Sequence, residues 1–367
     1  MKNIFIACLV FLTAFFLIGN VAVNAETIKI GAIFPLTGGS AAEGQDEKMG
    51  AEVAMDEINA AGGIFGRRLV IIFEDDELRP VAGVDAVHKL IDVNKVPVIV
   101  GTFSSGVTLP VAEYAQQQGV VVINPASTSP KLREVGDYLF SVMGLDDLMG
   151  KELAKFAWER GHRKAAVLVP NNPFGIGVLE NVSKTFKELG GTITTSVAYE
   201  MGKIDYRAEL GRIFGKKPQA LLYTAYGEES KIITKQAYEL GYKAEWFGAY
   251  LTMCTSVSVP KAVEGHLGLE PGYFGPQAEH FRKLFMKKHG REPATSFSAY
   301  AYDAVWLAAL SIGKAGLNRK AIKDALPIVA KHYKGATGDV TFDKDGQRAN
   351  QDYSKLKYTR GKVKPYQ

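Results

Sequence analysis

The chain has 367 residues, 47% of them hydrophobic, with 44 Lys and Arg against 39 Asp and Glu and a formal net charge of +5. That length implies two domains rather than one, each able to bury a sizeable core. The basic residues are scattered, and their densest runs, "GKK" at 215–217 and "MKKHGR" at 286–291, read as solvated helix ends, so no nucleic-acid partner is expected.

Residues 1–25 open with Lys2, run apolar from Ile4 to Ile18 and close on "VNA" before Glu26. This is the layout of a cleaved secretory leader, and the apolar run is short of the ~20 residues a membrane span needs. Cleavage is expected after Ala25. Cys8 lies within the leader, so the exported chain keeps one cysteine, Cys254, and has no intrachain disulfide. A protein of this size exported without disulfides fits the bacterial periplasm, and no second run of eighteen apolar residues follows to hold it in a membrane.

From Thr27 onward, β-rich runs alternate with helical patterns. "TIKIGAIF" reads as a strand, "EKMGAEVAMDEINAA" as an amphipathic helix, "RRLVIIFED" as a strand, "VAGVDAVHKLIDVN" as a helix, "VPVIVG" as a strand, "VAEYAQQQ" as a helix and "GVVVINP" as a strand. After "YLFSVMGLDD" the pattern restarts with "RKAAVLVP", "GIGVLENVSKTFKELG", "TITTSVAYE", "DYRAELGRIFG", "QALLYTA", "EESKIITKQAYELG" and "AEWFGAY". Alternation of this kind predicts an α/β fold: two doubly wound parallel-sheet lobes with helices on both faces. The later helices "PQAEHFRKLFMKKHG" and "SAYAYDAVWLAALSIGKAG" need a sheet to cover, and the first lobe is the expected host. The tail "GDVTFDKDGQ…SKLKYTRGKV" reads as a hairpin.

Catalytic motifs fail on their spacing. "GTFSSG" places Thr102 or Phe103 where the first glycine of a nucleophile elbow belongs, and the six histidines are dispersed, so a serine hydrolase is not supported. "FGIGVLE" at 174–180 has Glu180 in place of the third dinucleotide-fingerprint glycine and reads as a tight turn opening a helix. "EDDE" at 74–77 reads as a solvated strand end with an aspartate cap. No histidine or cysteine pair has metal-ligand spacing, and neither a metal nor a cofactor is expected.

Two hydroxyl-rich loops carry more information. "GTFSSG" follows the strand at 96–100 and "NPASTSP" follows the strand at 119–123, with one helix between. The two strands should be parallel neighbours with both loops on one carboxyl edge, where ligands of open α/β sheets bind. Ser104, Ser105, Ser127 and Thr128 would converge there with helix-start N–H groups, an arrangement suited to an anion. Each hydroxyl alone is more often a simple cap.

The blocks "IGAIFPLTGGSAAEGQ", "GAEVAMDEINAAGGIFGRRL", "SSGVTLPVAEYAQQQGVVVINPASTSPKL", "GLDDLMGKELAKFA", "AVEG" and "YAYDAVWLAAL" follow one another in an order that resembles the Leu/Ile/Val-binding class of type I periplasmic binding proteins. The resemblance covers nearly all of the chain beyond the leader. It implies two lobes joined by hinge crossings near Gly144–Asp147, near Pro271 and around Tyr333, with ligand in the cleft between them. Lobe 1 would comprise 26–145 plus 272–332, and lobe 2 would comprise 146–271 plus 333–367. The family's carboxylate-holding positions fall on Ser105, Ser127 and Thr128, and its wall positions on Phe103, Ser104, Phe174, Tyr226 and Phe297. Such proteins catalyse nothing. They deliver a small solute to a membrane-embedded ABC permease, and a monomer is expected.

Three departures bear on the ligand. The family's acidic residue for a ligand ammonium aligns with Tyr250, an aromatic position of the first loop holds Glu43, and Phe174 stands where tyrosine is common. If Glu43 turns inward it replaces the missing acid, and the ligand is a branched-chain or other apolar amino acid. If it faces solvent, the site suits an amine-free acid, such as an aromatic carboxylate. A ligand-sensing receptor domain would share the fold.

Overall fold

A computed structural model describes residues 26–272 and 275–366. The expected leader, residues 1–25, lies outside them.

The first lobe is built in chain order from β1 (Ile28–Phe34), α1 (Ala41–Ala60), β2 (Leu69–Asp75), α2 (Pro80–His88), β3 (Val98–Gly101), α3 (Ser105–Gln117), β4 (Val121–Asn124) and β5 (Leu139–Ser141). Its five strands stand in the order β2-β1-β3-β4-β5 and every pairing is parallel. β3, β4 and β5 are buried at every residue. This is why they read as unbroken apolar runs: a sheet covered on both faces has no polar side to alternate with.

The second lobe follows with α4 (Asp146–Glu159), β6 (Lys164–Pro170), α5 (Pro173–Glu188), β7 (Thr192–Tyr199), α6 (Arg207–Phe214), β8 (Ala220–Tyr223), α7 (Gly227–Glu239), β9 (Glu245–Ala249), α8 (Leu251–Thr255), α9 (Pro260–Val263) and β10 (Leu267–Pro271). The chain then returns to the first lobe with α10 (Ala278–His289), α11 (Phe297–Ala315) and α12 (Arg319–Ala330). A short ladder joins β11 (Lys334–Gly335) to β12 (Gly338–Asp339), and the hairpin of β13 (Tyr353–Thr359) and β14 (Lys362–Pro365) ends the chain. The second sheet runs β14-β13-β10-β9-β8-β6-β7. It is parallel from β7 to β10, but β13 joins β10 antiparallel, so the sheet is mixed where an all-parallel one was expected. Only the second half of the predicted tail hairpin forms one. The first half packs on β5, where Gln347 bridges Ser141 and the Phe342 ring lies 5.2 Å from Phe140.

α11 accounts for the long apolar stretch late in the chain. It packs against α1, α12, β3 and β4, and residues Phe297 to Val305 are all buried. Gly50 of α1 meets the Ser298 backbone of α11 so closely that any Cβ there would overlap it. Among the described residues no helix is long and apolar enough to cross a membrane.

The register of β3 on β4 (Val98 opposite Val121, Val100 opposite Ile123) brings residues 102–104 and 125–129 side by side. Both loops leave the carboxyl edge of the first sheet, one from β3, which borders the point where strand order reverses between β1 and β3, and one from its neighbour β4.

Candidate functional site

The first hydroxyl loop is shorter than its sequence suggests. Helix α3 begins at Ser105, with Pro110 inside its second turn, so "SGVTLP" is already helical. The amides of Val107 and Thr108 both bond the Ser104 carbonyl, at 2.9 and 2.8 Å. Ser105 therefore stands at the first position of a helix whose leading N–H groups favour an anion.

The second loop is organised by Asn124. Its Oδ1 accepts from the amides of Ala126 and Ser127 at 3.1 and 2.8 Å, and its Nδ2 donates to the Ser127 carbonyl at 2.7 Å and to Ser141 Oγ at 2.8 Å. Asparagine closes such turns by mimicking a backbone turn. Two of the loop's amides are thus committed internally. The remaining two, Thr128 N and Ser129 N, donate to Ser105 Oγ at 3.2 and 3.1 Å. That fixes the chemistry of Ser105. A hydroxyl oxygen accepting two N–H bonds keeps one proton to donate.

Ser127 differs. Its Oγ lies 3.0 and 3.2 Å from the Phe103 and Thr102 carbonyls and also contacts Thr108 Oγ1, so the hydroxyl stitches the two loops together. Ser127 borders the site chiefly with its backbone and Cβ.

A narrow cavity opens from these loops, lined by Phe103, Ser105, Ala126, Ser127, Thr128, Phe174, Tyr226, Tyr250, Met253 and Phe297. None is more than 6% exposed. Five rings close into a circuit around it: Phe103 to Tyr226 at 5.9 Å, Tyr226 to Phe174 at 5.7 Å, Phe174 to Tyr250 at 5.9 Å, Tyr250 to Phe297 at 6.0 Å, and Phe297 to Phe103 at 5.0 Å. Phe103 and Phe297 belong to the first lobe and the other three to the second. Rings with a few hydroxyls make an apolar site with sparse polar anchors.

Of the residues singled out in the sequence, eight line this cavity and two do not. Ser104 Oγ faces the Tyr226 hydroxyl at 3.2 Å, and Asn172 Nδ2 donates to the same hydroxyl at 3.2 Å. Burial pushes the Tyr226 phenol up to about 12, against the pull of those two partners, so it stays neutral. Glu43 sits in the first turn of α1 rather than in a loop. It turns inward, yet its Oε1 accepts from Ser256 Oγ at 3.2 Å, beside the start of α7 at Gly227. Burial raises its carboxyl above the ordinary range. It joins the lobes and does not reach the cavity wall.

Tyr250 is held at φ 59°, ψ 65°, a left-handed conformation uncommon for a bulky residue, as it opens α8. Its hydroxyl donates to Asp146 Oδ1 at 3.3 Å. Asp146, with Asn124, Ala126 and Met253, escaped the sequence reading. Cys254 is packed against the Ala249 and Ala225 carbonyls, and burial pushes its thiol up to about 12, so it is an inert core residue.

Two α/β lobes enclosing a small, mostly apolar cavity at the carboxyl edge of a parallel sheet define a solute-binding protein. The sequence pattern described as "Periplasmic binding protein" matches residues 27–362, and the chain belongs to that family. The chain is 29% identical over 337 residues to the leucine-, isoleucine-, valine-, threonine- and alanine-binding protein of Pseudomonas aeruginosa, covering 90% of this chain and 89% of that one. Its fold superposes on the branched-chain amino acid substrate-binding protein LivJ of Streptococcus pneumoniae, solved with isoleucine, with a TM-score of 0.85 at 28% identity over 92% of this chain and 98% of that one. A benzoate-bound solute-binding protein of R. palustris shares the fold at a TM-score of 0.83 and 19% identity, covering 93% and 95% of the two chains.

Proposed function

We propose that this chain is the extracytoplasmic solute-binding component of an ABC importer and that its ligand is a branched-chain or other apolar amino acid. The observation that carries the proposal is the enclosed cavity. Its walls come from both lobes, and the Ser105 hydroxyl on it keeps one free proton, suited to a carboxylate. A ligand held this way bridges the lobes and favours their closed arrangement. The closed monomer, exported to the periplasm by removal of residues 1–25, would then dock on a membrane permease. In this reading the lobes are 26–145 plus 272–332 and 146–271 plus 333–367. The relatives named for leucine, isoleucine and valine support the ligand class.

Thermal-shift titration of the chain from Glu26 with leucine, isoleucine, valine and benzoate tests this. A ligand at 100 times its Kd stabilises the folded state by ~2.7 kcal/mol, a shift of a few degrees. Stabilisation by the branched-chain amino acids is expected. Absence of any response to them would overturn the proposal. A second reading, an aromatic carboxylate, is favoured by the circuit of five rings, and stabilisation by benzoate alone would establish it.

A further inference from the structure

The cavity has one unresolved need. A zwitterionic ligand brings an ammonium group, and a buried charge left without a partner costs several kcal/mol. No lining residue carries a negative charge. Glu229 acts on Tyr226 only at a distance, its Oε1 taken by the Gly202 amide at 3.2 Å, which leaves three buried carboxyls to consider. Glu43 bonds Ser256. Glu270 has both oxygens occupied, Oε1 by Ser296 Oγ at 2.7 Å and Oε2 by the Thr252 amide at 3.0 Å. Asp146 is the third, and it differs. It is fully buried at the start of α4, its amide is tied to the Thr128 carbonyl at 2.7 Å, and its Oδ2 has no hydrogen-bond partner. α5 approaches it with a glycine, Gly177, whose hypothetical Cβ would lie 3.4 Å from Oδ2, and the Thr128 hydroxyl is its polar neighbour from the second loop.

We propose that Asp146, acting through Tyr250, is the residue that makes this cavity select ligands carrying an ammonium group. The proposal rests on the amino-acid reading above and deepens it. The Tyr250 hydroxyl donates its proton to Asp146, so the face of its oxygen toward the cavity can only accept. An ammonium arriving beside Tyr250 favours the charged form of the acid behind it, which then polarises that oxygen. Ser105 presents a donor and Tyr250 an acceptor, so the cavity has two ends of opposite character. A zwitterion matches both, and a plain carboxylate matches one. The surrounding rings add faces that attract a cation. Burial raises the Asp146 carboxyl well above its usual range, against the bonds from Thr128 and Tyr250, so the acid is neutral until a positive group arrives.

Calorimetry of the chain from Glu26 with leucine, with 4-methylpentanoate (leucine without its amine) and with benzoate tests this, on wild type, Asp146→Asn and Tyr250→Phe. Wild type is expected to prefer leucine over 4-methylpentanoate by at least about tenfold. Both variants should shrink that preference to within about threefold while changing 4-methylpentanoate affinity little. Tyr250→Phe removes only a hydroxyl and keeps the measurement open if Asp146→Asn does not fold. Equal loss of both ligands in the variants would make Asp146 a structural hinge group and overturn the inference. Wild-type benzoate or 4-methylpentanoate binding as tight as leucine would also overturn it and leave the importer role standing. Failure of wild type to bind any of the three would sink the proposed ligand class together with it.

Discussion

Glu43 and Ser256 lie 213 positions apart in the chain and meet at 3.2 Å, the carboxylate of the first lobe accepting from the hydroxyl of the second. Because the bond spans the cleft without touching the cavity, it contributes to closure and not to ligand choice. Glu43→Ala should therefore weaken every ligand alike, by ~0.5–1.5 kcal/mol for a lost hydrogen bond. Glu43→Gln, which keeps an acceptor, should change affinity by less. Calorimetry with leucine and 4-methylpentanoate checks this, since equal changes are expected for both.

Ser105→Ala should act twice. The ligand carboxylate loses its hydroxyl donor, which costs about 1.5–3 kcal/mol of binding, and the buried amides of Thr128 and Ser129 lose their acceptor in the empty protein. Denaturant unfolding should show the apo protein destabilised by ~1–3 kcal/mol. An unchanged apo stability would contradict the bonding of the two loops described above.

Tyr226→Phe removes the hydroxyl shared by Ser104 and Asn172 across the cleft. The ring and its place in the circuit remain. Affinity should fall by about 0.5–1.5 kcal/mol for all ligands, with selectivity intact, in contrast to Tyr250→Phe.

Glu47 and Asp76 make apo stability depend on pH. Both are fully buried with unpartnered oxygens. Burial raises Asp76 to about 7, helped by Asp75 and Glu77, and raises Glu47 well above the carboxylate range, with Asp76, Asp46 and Glu43 adding to it. A raised native pKa means the folded state binds more protons than the unfolded one, so this stabilisation is present below about pH 4 and lost as pH rises through about 7. Carboxyls depressed in the fold, such as Asp137 beside Lys323, act in the opposite sense, but only at more acidic pH. The melting temperature should therefore be higher at pH 5 than at pH 8, by on the order of 1–4 kcal/mol in stability. Asp76→Asn should flatten that slope.

The fold class was legible because covered parallel strands leave an apolar signature that depends on local sequence alone. Ser105, Thr128 and the ring residues were legible through the resemblance, since their positions are fixed by loops at strand ends. What escaped depends on distant partners. The helix read as "VAEYAQQQ", from Val111, starts six residues earlier at Ser105, with Pro110 inside α3. Glu43 followed a glycine-rich run and read as loop, and only its pairing with α8's neighbour Ser256 sets its direction. Asp146 looked like a hinge residue in "GLDD". Its burial is produced by Tyr250 and Gly177, which no local window contains.

The ring circuit has a kinetic consequence. Only two of its five contacts, Phe103 with Tyr226 and Phe297 with Tyr250, join one lobe to the other, and the remaining three lie within a lobe. Separation of the lobes thus parts the circuit at two seams and leaves each arc assembled. With every lining residue buried, a bound molecule has no side exit, so its escape waits on that parting. Dissociation rates of chemically different ligands should converge on one ceiling, the opening rate of the empty shell, and only ligands that hold the seams shut should leave more slowly.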